Sequence, residues 1–218
     1  TGEAVRVYGM VSQVRARHEG ARFDSDVFLI SDGVLPAEVA ESARITATRF
    51  EPEVFVPPRP GQPVARAEGE ERDKALFFDR MERRLVIGLT RDDEPLFVNF
   101  EFVNGERGAH VNISGVSGVA TKTTYATFLL HSLFTGGVLG AGAINTKALI
   151  FNVKGEDLLH LDRPNGLLDT DQVARYGSLG LPAEPFRSVG LYAPPRPDSA
   201  TLRADVHSRS DVTSFCWS

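Results

Sequence analysis

The period of the apolar residues changes part-way along the chain, and that change limits what the chain can fold into. Up to Arg107 apolar side chains alternate with polar ones: Val5, Val7, Gly9 and Val11 share one face, and Leu96, Val98, Phe100 and Phe102 share another, with Phe97, Asn99 and Glu101 opposite. Alternation of this kind marks a half-buried antiparallel strand. Further strands are predicted over residues 26–30, 43–56 (with a bend at Glu51-Pro52) and 84–90. Residues 62–74 are rich in Glu, Arg and Gly and read as a solvated connection, and 75–81 as a short helical turn. Several short strands divided by Gly and Pro turns predict a small barrel or sandwich.

From Gly108 the pattern is different. Residues 109–114 form a short apolar run with β-branched side chains, 115–122 a loop of Gly, Ser and Thr, 124–134 an amphipathic helix, and 147–153 a second buried strand. A strand, loop, helix and strand in this order predict two parallel strands joined by a crossover helix. The predicted boundary therefore divides 1–107 from 108–218. Net charge follows the same division: residues 1–107 carry 15 basic and 20 acidic side chains, and the remainder carries 9 of each. The overall charge of −5 excludes a broad basic surface that would grip nucleic acid unaided.

A single cysteine, Cys216, excludes a disulfide within the chain and a multi-cysteine zinc site, and points to a reducing, cytoplasmic setting. No charged segment followed by an apolar run and a small-residue cleavage site opens the chain. The stretch between Lys122 and Lys147 has no charged residue, but its Gly, Thr, Asn and His content and helical spacing favour a buried helix followed by a glycine loop over a membrane span. His18, His131, His160 and His207 show no metal-ligand spacing. Asp169, Asp171 and the acidic clusters at 68–71 and 92–94 are read as loops and solvated faces. The two PPRP segments, at 57–60 and 194–197, are read as loops.

The loop carries the chemistry. It reads Gly115-Val116-Ser117-Gly118-Val119-Ala120-Thr121-Lys122-Thr123-Thr124. A phosphate-binding loop needs glycines that let consecutive backbone N–H groups turn inward, a Lys that reaches the β- and γ-phosphates, and a hydroxyl for Mg²⁺. All three are present, and the helix that follows would aim its free N–H groups at the phosphates. The spacing departs from the usual motif: Gly115 lies seven residues before Lys122 rather than six, and Thr121 replaces the glycine that normally precedes the Lys. Only four of the 24 basic residues are Lys, yet one stands in this loop.

These segments resemble the HerA/FtsK-type P-loop ATPases, specifically the HerA-like branch in which a small β-barrel precedes the ATPase core. His110-Val111-Asn112-Ile113-Ser114-Gly115 is similar to the family's entering strand, His-x-x-Ile-x-Gly. The loop with Lys122 and Thr123 looks like a one-residue expansion of Gly-x-Thr-Gly-Ser-Gly-Lys-Ser/Thr. Residues 148–157 resemble a strand ending in Asp-x-His-Gly-Glu-Tyr, with Asn152 for Asp and Lys154 for His, while Gly155 and Glu156 match. The resemblance implies an N-terminal antiparallel β-barrel over 1–107 and the first part of an α/β P-loop core over 108–218. No acidic Walker B strand follows Asp162, so the chain reads either as the N-terminal portion of a longer ATPase or as a degenerate copy.

By this reading ATP and Mg²⁺ are the cofactors. Lys122 neutralises the β/γ-phosphates, Thr123 ligates Mg²⁺, and Thr124 is a weaker candidate for the α-phosphate. Gly115 opens the loop, and Gly118, Val119, Ala120, Thr121, Lys122 and Thr123 supply the backbone nest. Glu156 is a candidate either to orient the attacking water or to cap the following turn, and Lys154 either to reach a phosphate or to be solvated. The resemblance further implies a ring, usually hexameric, that translocates on DNA and works with a nuclease or defence effector, with no membrane partner. The alternative, favoured by Thr121, Asn152 and the missing Walker B, is a scaffold module that holds nucleotide without hydrolysing it.

Overall fold

The computed structural model describes residues 4–19, 24–34, 38–59, 61–106, 108–116, 121–153, 155–197 and 202–216. The chain divides into two compact units, Thr1–Met81 and Glu82–Ser218. The boundary read from sequence at 107 falls inside the second.

In the first unit, the alternating residues pair as a long antiparallel ribbon of β1 (Arg6–Glu19) and β2 (Glu38–Glu51). Val7 lies opposite Phe50, Val11 opposite Ile45, and Arg6 opposite Glu51. The register slips between Tyr8 and Gly9, where the strands approach closely. A Cβ on Gly9 would stand 2.6 Å from Ile45 Cγ2 and 2.7 Å from the Thr46 carbonyl, so glycine is required at this bulge. Between the strands runs α1 (Asp24–Ser31), a correction to the strand predicted over 26–30. A four-residue apolar run does not distinguish strand from helix, and the Asp-Ser-Asp that opens it is a helix-start composition.

A second helix, α2 (Gly69–Ala75), occupies part of the predicted solvated connection and is fastened to the ribbon by polar contacts. The Tyr8 hydroxyl donates to Glu71 at 2.5 Å, and the Thr48 hydroxyl donates to the Ala75 carbonyl at 2.9 Å. Arg49 pairs with both Glu51 and Asp79. Among the described residues here, Tyr8, Ala75 and Phe78 are the buried apolar ones. Phe78 lies in a 3-10 turn with the Arg72 guanidinium 5.5 Å from its ring centre.

In the second unit, β3 (Arg84–Leu89) and β4 (Pro95–Asn99) form an antiparallel hairpin. Its turn is tied by the Thr90 hydroxyl, which accepts from the Asp92 and Glu94 N–H groups. The second strand ends at Asn99, three residues earlier than predicted, because the Asn99 side chain accepts from the Glu101 N–H and starts a 3-10 turn. Across β3 lies α3 (Thr121–Thr135), held by the fully buried Ser132, whose hydroxyl donates to the Val86 carbonyl at 2.6 Å. Among the described residues of this unit, Leu85, Val86, Phe100, Leu181, Ala193 and Val206 are the buried apolar side chains. His131 is buried, bonded through Nε2 to the Glu184 carbonyl and edge-on to the Tyr176 and Phe186 rings. A further helix, α4 (Thr170–Ser178), opens with a capping box from Asp169 and Gln172, so Asp169 is a helix cap and not merely a solvated carboxylate. Near the end of the chain, β5 (Tyr192–Ala193) pairs in parallel with β6 (Thr213–Ser214).

This architecture corrects the predicted fold class. Among the described residues there are three separate two-stranded sheets, no closed barrel and no parallel P-loop sheet. Residues 108–116 and 147–153 run outside any ladder, and Leu149, Phe151 and Val153 are largely exposed. Apolar patterning reports that a segment prefers burial, but a strand also needs a neighbour for its N–H and C=O groups. Nothing in the described chain pairs with either segment. In the same way, alternation in β1 and β2 predicts a buried face but does not supply the further strands that barrel closure requires. No described helix is long and apolar enough to cross a membrane.

Candidate phosphate-binding site

At the N-terminus of α3 the sequence sets up an electrostatic conflict. The first turn of a helix carries unsatisfied N–H groups and partial positive charge, which favours acidic side chains and disfavours cations by about 0.3–1 kcal/mol each. This first turn contains no acidic residue, and Lys122 is its second residue. The Lys122 ammonium folds back to donate to the Gly115 carbonyl at 3.0 Å and the Val116 carbonyl at 3.3 Å. Gly115 makes room for that fold, since a Cβ there would lie 3.3 Å from Lys122 Cγ. Two carbonyl dipoles offset part of the ammonium charge, and an anion set against the same helix end would offset the rest.

Beside this helix end lies a groove of about 770 Å³. Ser114, Thr121, Lys122 and Thr124 line its polar part. Ile113, Tyr125, Phe128 and Tyr176 line its apolar part. The Tyr125 and Phe128 rings are 6.0 Å apart and within 22° of parallel, and the Tyr125 hydroxyl is anchored to the Ile87 carbonyl at 3.0 Å. A volume of this size lies within the range of small-ligand pockets, which are mostly apolar with a few placed polar groups.

The structure thus brings Lys122, Thr121 and Thr124 to one groove, with Gly115 packed under the lysine. Thr123 is exposed on the same helical turn but does not line the groove. Gly118, Val119, Ala120 and Lys154 lie outside the described residues. Among the described lining residues there is no carboxylate, and no described group of three or more His, Cys, Asp or Glu could hold a metal ion. These residues do not make a Mg²⁺ site of their own.

Glu156 is committed elsewhere. Its two carboxylate oxygens accept from the His207 and Ser208 N–H groups, each at 3.0 Å, and hydrogen bonding, first from the Ser208 side chain and then from the His207 backbone, holds its carboxyl below the usual range. Asn152 donates to the Gly155 carbonyl at 2.9 Å. Glu156 does not cap the turn that follows it, because the 3-10 turn Asp157–His160 receives no side-chain bond from it; its carboxylate instead ties that turn to the distant 207–208 segment.

Sequence reasoning missed two features. The aromatic wall had a partial signal, Tyr125 and Phe128 three residues apart on the helix that follows the loop, but nothing placed Tyr176 beside them. The other is Arg209, whose side chain is only 4% exposed and which pairs with Asp162 and Asp211 and donates to the Leu159 carbonyl. The Arg209 hydrogen bonds hold the Asp211 carboxyl at about 2 and the Asp162 carboxyl below its usual value. A carboxyl lowered in the folded state stabilises the fold above its unfolded pKa, and that contribution disappears as pH falls through the folded value. Denaturation measured from about pH 5 to about pH 2 should therefore show stability lost on acidification, with a shallower loss in Asp211→Asn. An unchanged acid limb in that variant would show that the Arg209 cluster does not couple to folding.

No protein-family model matches the chain, and no curated protein matches it.

Proposed function

We propose that this protein binds a nucleoside triphosphate, ATP in the first instance, with its phosphates at the N-terminus of α3. The observation that carries the reading is Lys122: a cation placed at the positive end of a helix with no acid in the first turn, folded over a glycine, at the polar end of a groove. Phosphate oxygens there accept from the ammonium and lie at the positive end of the helix dipole. The resemblance of residues 110–115 and 122–123 to a P-loop supports the same ligand.

Holding the nucleotide is better supported than hydrolysing it. Hydrolysis needs a group that orients water, and Glu156, the residue suggested for that role, is bonded to two backbone N–H groups. Among the described residues that line the groove, hydroxyls, the lysine, aromatic rings and Ile113 are present, and no carboxylate or imidazole stands in for it. A second reading, an ATP-driven ring that moves on DNA, rests on the motif resemblance at the loop.

Calorimetric titration of the protein with ATP, with and without Mg²⁺, tests the first reading, and phosphate release with and without DNA tests the second. Saturable binding with no turnover is the expected result. Turnover stimulated by DNA would establish the motor instead, and absence of binding would refute both.

A further inference from the structure

Resting on the reading of Lys122 as a phosphate ligand, we infer that the aromatic end of the same groove is a base-binding wall that accepts adenine and guanine alike. The groove is chemically two-ended. Lys122, Thr121 and Thr124 stand at the first turn of α3, and Phe128 lies two turns further along the same helix. At 1.5 Å per residue, Thr121 and Phe128 are separated by about 10 Å along the axis. A ligand that satisfies both ends must be anionic at one and flat and apolar at the other, as a nucleotide is.

The wall has the features of a stacking surface. Tyr125 is 38% exposed and stacks nearly parallel with Phe128, and both rings line the groove. Tyr176, which also lines the groove, is steadied by its edge contact with the buried His131. Because every base has a π-face, stacking favours bases without reading their identity, and the larger face of a purine gains more than a pyrimidine.

Discrimination between adenine and guanine needs fixed donors and acceptors facing the base edge, and among the described residues the wall has few. The Tyr125 hydroxyl is bound to the Ile87 carbonyl. The Tyr176 hydroxyl both donates and accepts, so it can serve either purine. Ser114, Thr121 and Thr124 belong to the loop and first helical turn, at the phosphate end. Adenine and guanine should therefore be held with nearly equal strength.

The test is competitive calorimetry of the protein with ATP, GTP and inorganic tripolyphosphate, repeated on Phe128→Leu, which keeps apolar volume and removes the flat face. ATP and GTP are expected to bind within about threefold of each other, and each about tenfold tighter than tripolyphosphate. In Phe128→Leu the ratio of ATP to tripolyphosphate affinity should fall toward one. Two results overturn the inference and leave the phosphate site standing: a preference of more than about tenfold for one purine, or ATP binding no tighter than tripolyphosphate. A ratio unchanged in a folded Phe128→Leu protein overturns it as well. Failure of all three ligands to bind removes the phosphate reading and this inference together.

Discussion

Lys122→Ala should lose at least about tenfold, and up to about 100-fold, in ATP affinity while the protein stays folded. Among the described lining residues Lys122 is the cation of the groove, and a hydrogen bond from a charged donor to a phosphate is worth about 1.5–3 kcal/mol. The cost to the fold is small because the lysine is unfavourably placed for the helix alone. Alanine removes a cation from the positive end of α3 and raises helix propensity, which offsets loss of the bonds to the Gly115 and Val116 carbonyls. The melting temperature is therefore expected to stay within a few degrees of the parent. Binding and stability thus separate in this variant, so a loss of affinity is not explained by unfolding. Lys122→Arg should recover only part of the affinity, since a planar guanidinium does not fold onto the Gly115 carbonyl as a flexible ammonium does. A Lys122→Ala protein that binds ATP like the parent would end the assignment of this helix terminus to phosphate.

The helix was legible because its signals are local, whereas residues 117–120 of the loop predicted before it lie outside the described residues. Gly115, Lys122 and the two threonines after it announce a turn into a helix whatever surrounds them, and α3 begins at Thr121, three residues before the predicted start. The hairpin of β3 and β4 and the ribbon of β1 and β2 were legible for a related reason, since alternation fixes which side chains share a face. What failed depended on partners. Residues 109–114 and 147–153 have the composition of buried strands, yet pairing is a property of a neighbour and not of the segment. The barrel failed at the same step: Val5, Val7 and Val11 specify a face but not how many strands close behind it. Glu156 shows the limit for the site. Its place after an apolar segment left it open between orienting water and capping the following turn, whereas the N–H groups of His207 and Ser208, about fifty residues distant, decide what its carboxylate does.

Phe100→Ala should be the most damaging single truncation in the second unit, costing about 3–5 kcal/mol. Phe100 is 5% exposed, and the Arg83 guanidinium sits 4.4 Å from its ring centre. Arg83 also donates to the Val138 carbonyl through two of its nitrogens, and its own carbonyl accepts from the Phe100 N–H at 2.9 Å. The ring thus fills the core and holds the arginine that ties the start of the hairpin to the segment after α3. Removing it leaves a cavity and also frees the guanidinium, whose contact with an aromatic face adds roughly 0.5–1 kcal/mol. Phe100→Leu keeps most of the apolar volume and should cost less, which separates the packing contribution from that of the aromatic face. Denaturant unfolding measures the loss, and hydrogen exchange at the amides of β3 and β4 locates it. Because α3 is anchored to β3 through Ser132 and Tyr125, loosening the hairpin should also weaken ATP binding, although Phe100 does not line the groove. Unchanged stability in Phe100→Ala would show that the core of this unit lies elsewhere, and unchanged ATP affinity in a destabilised variant would show that the helix terminus holds its ligand without support from the sheet.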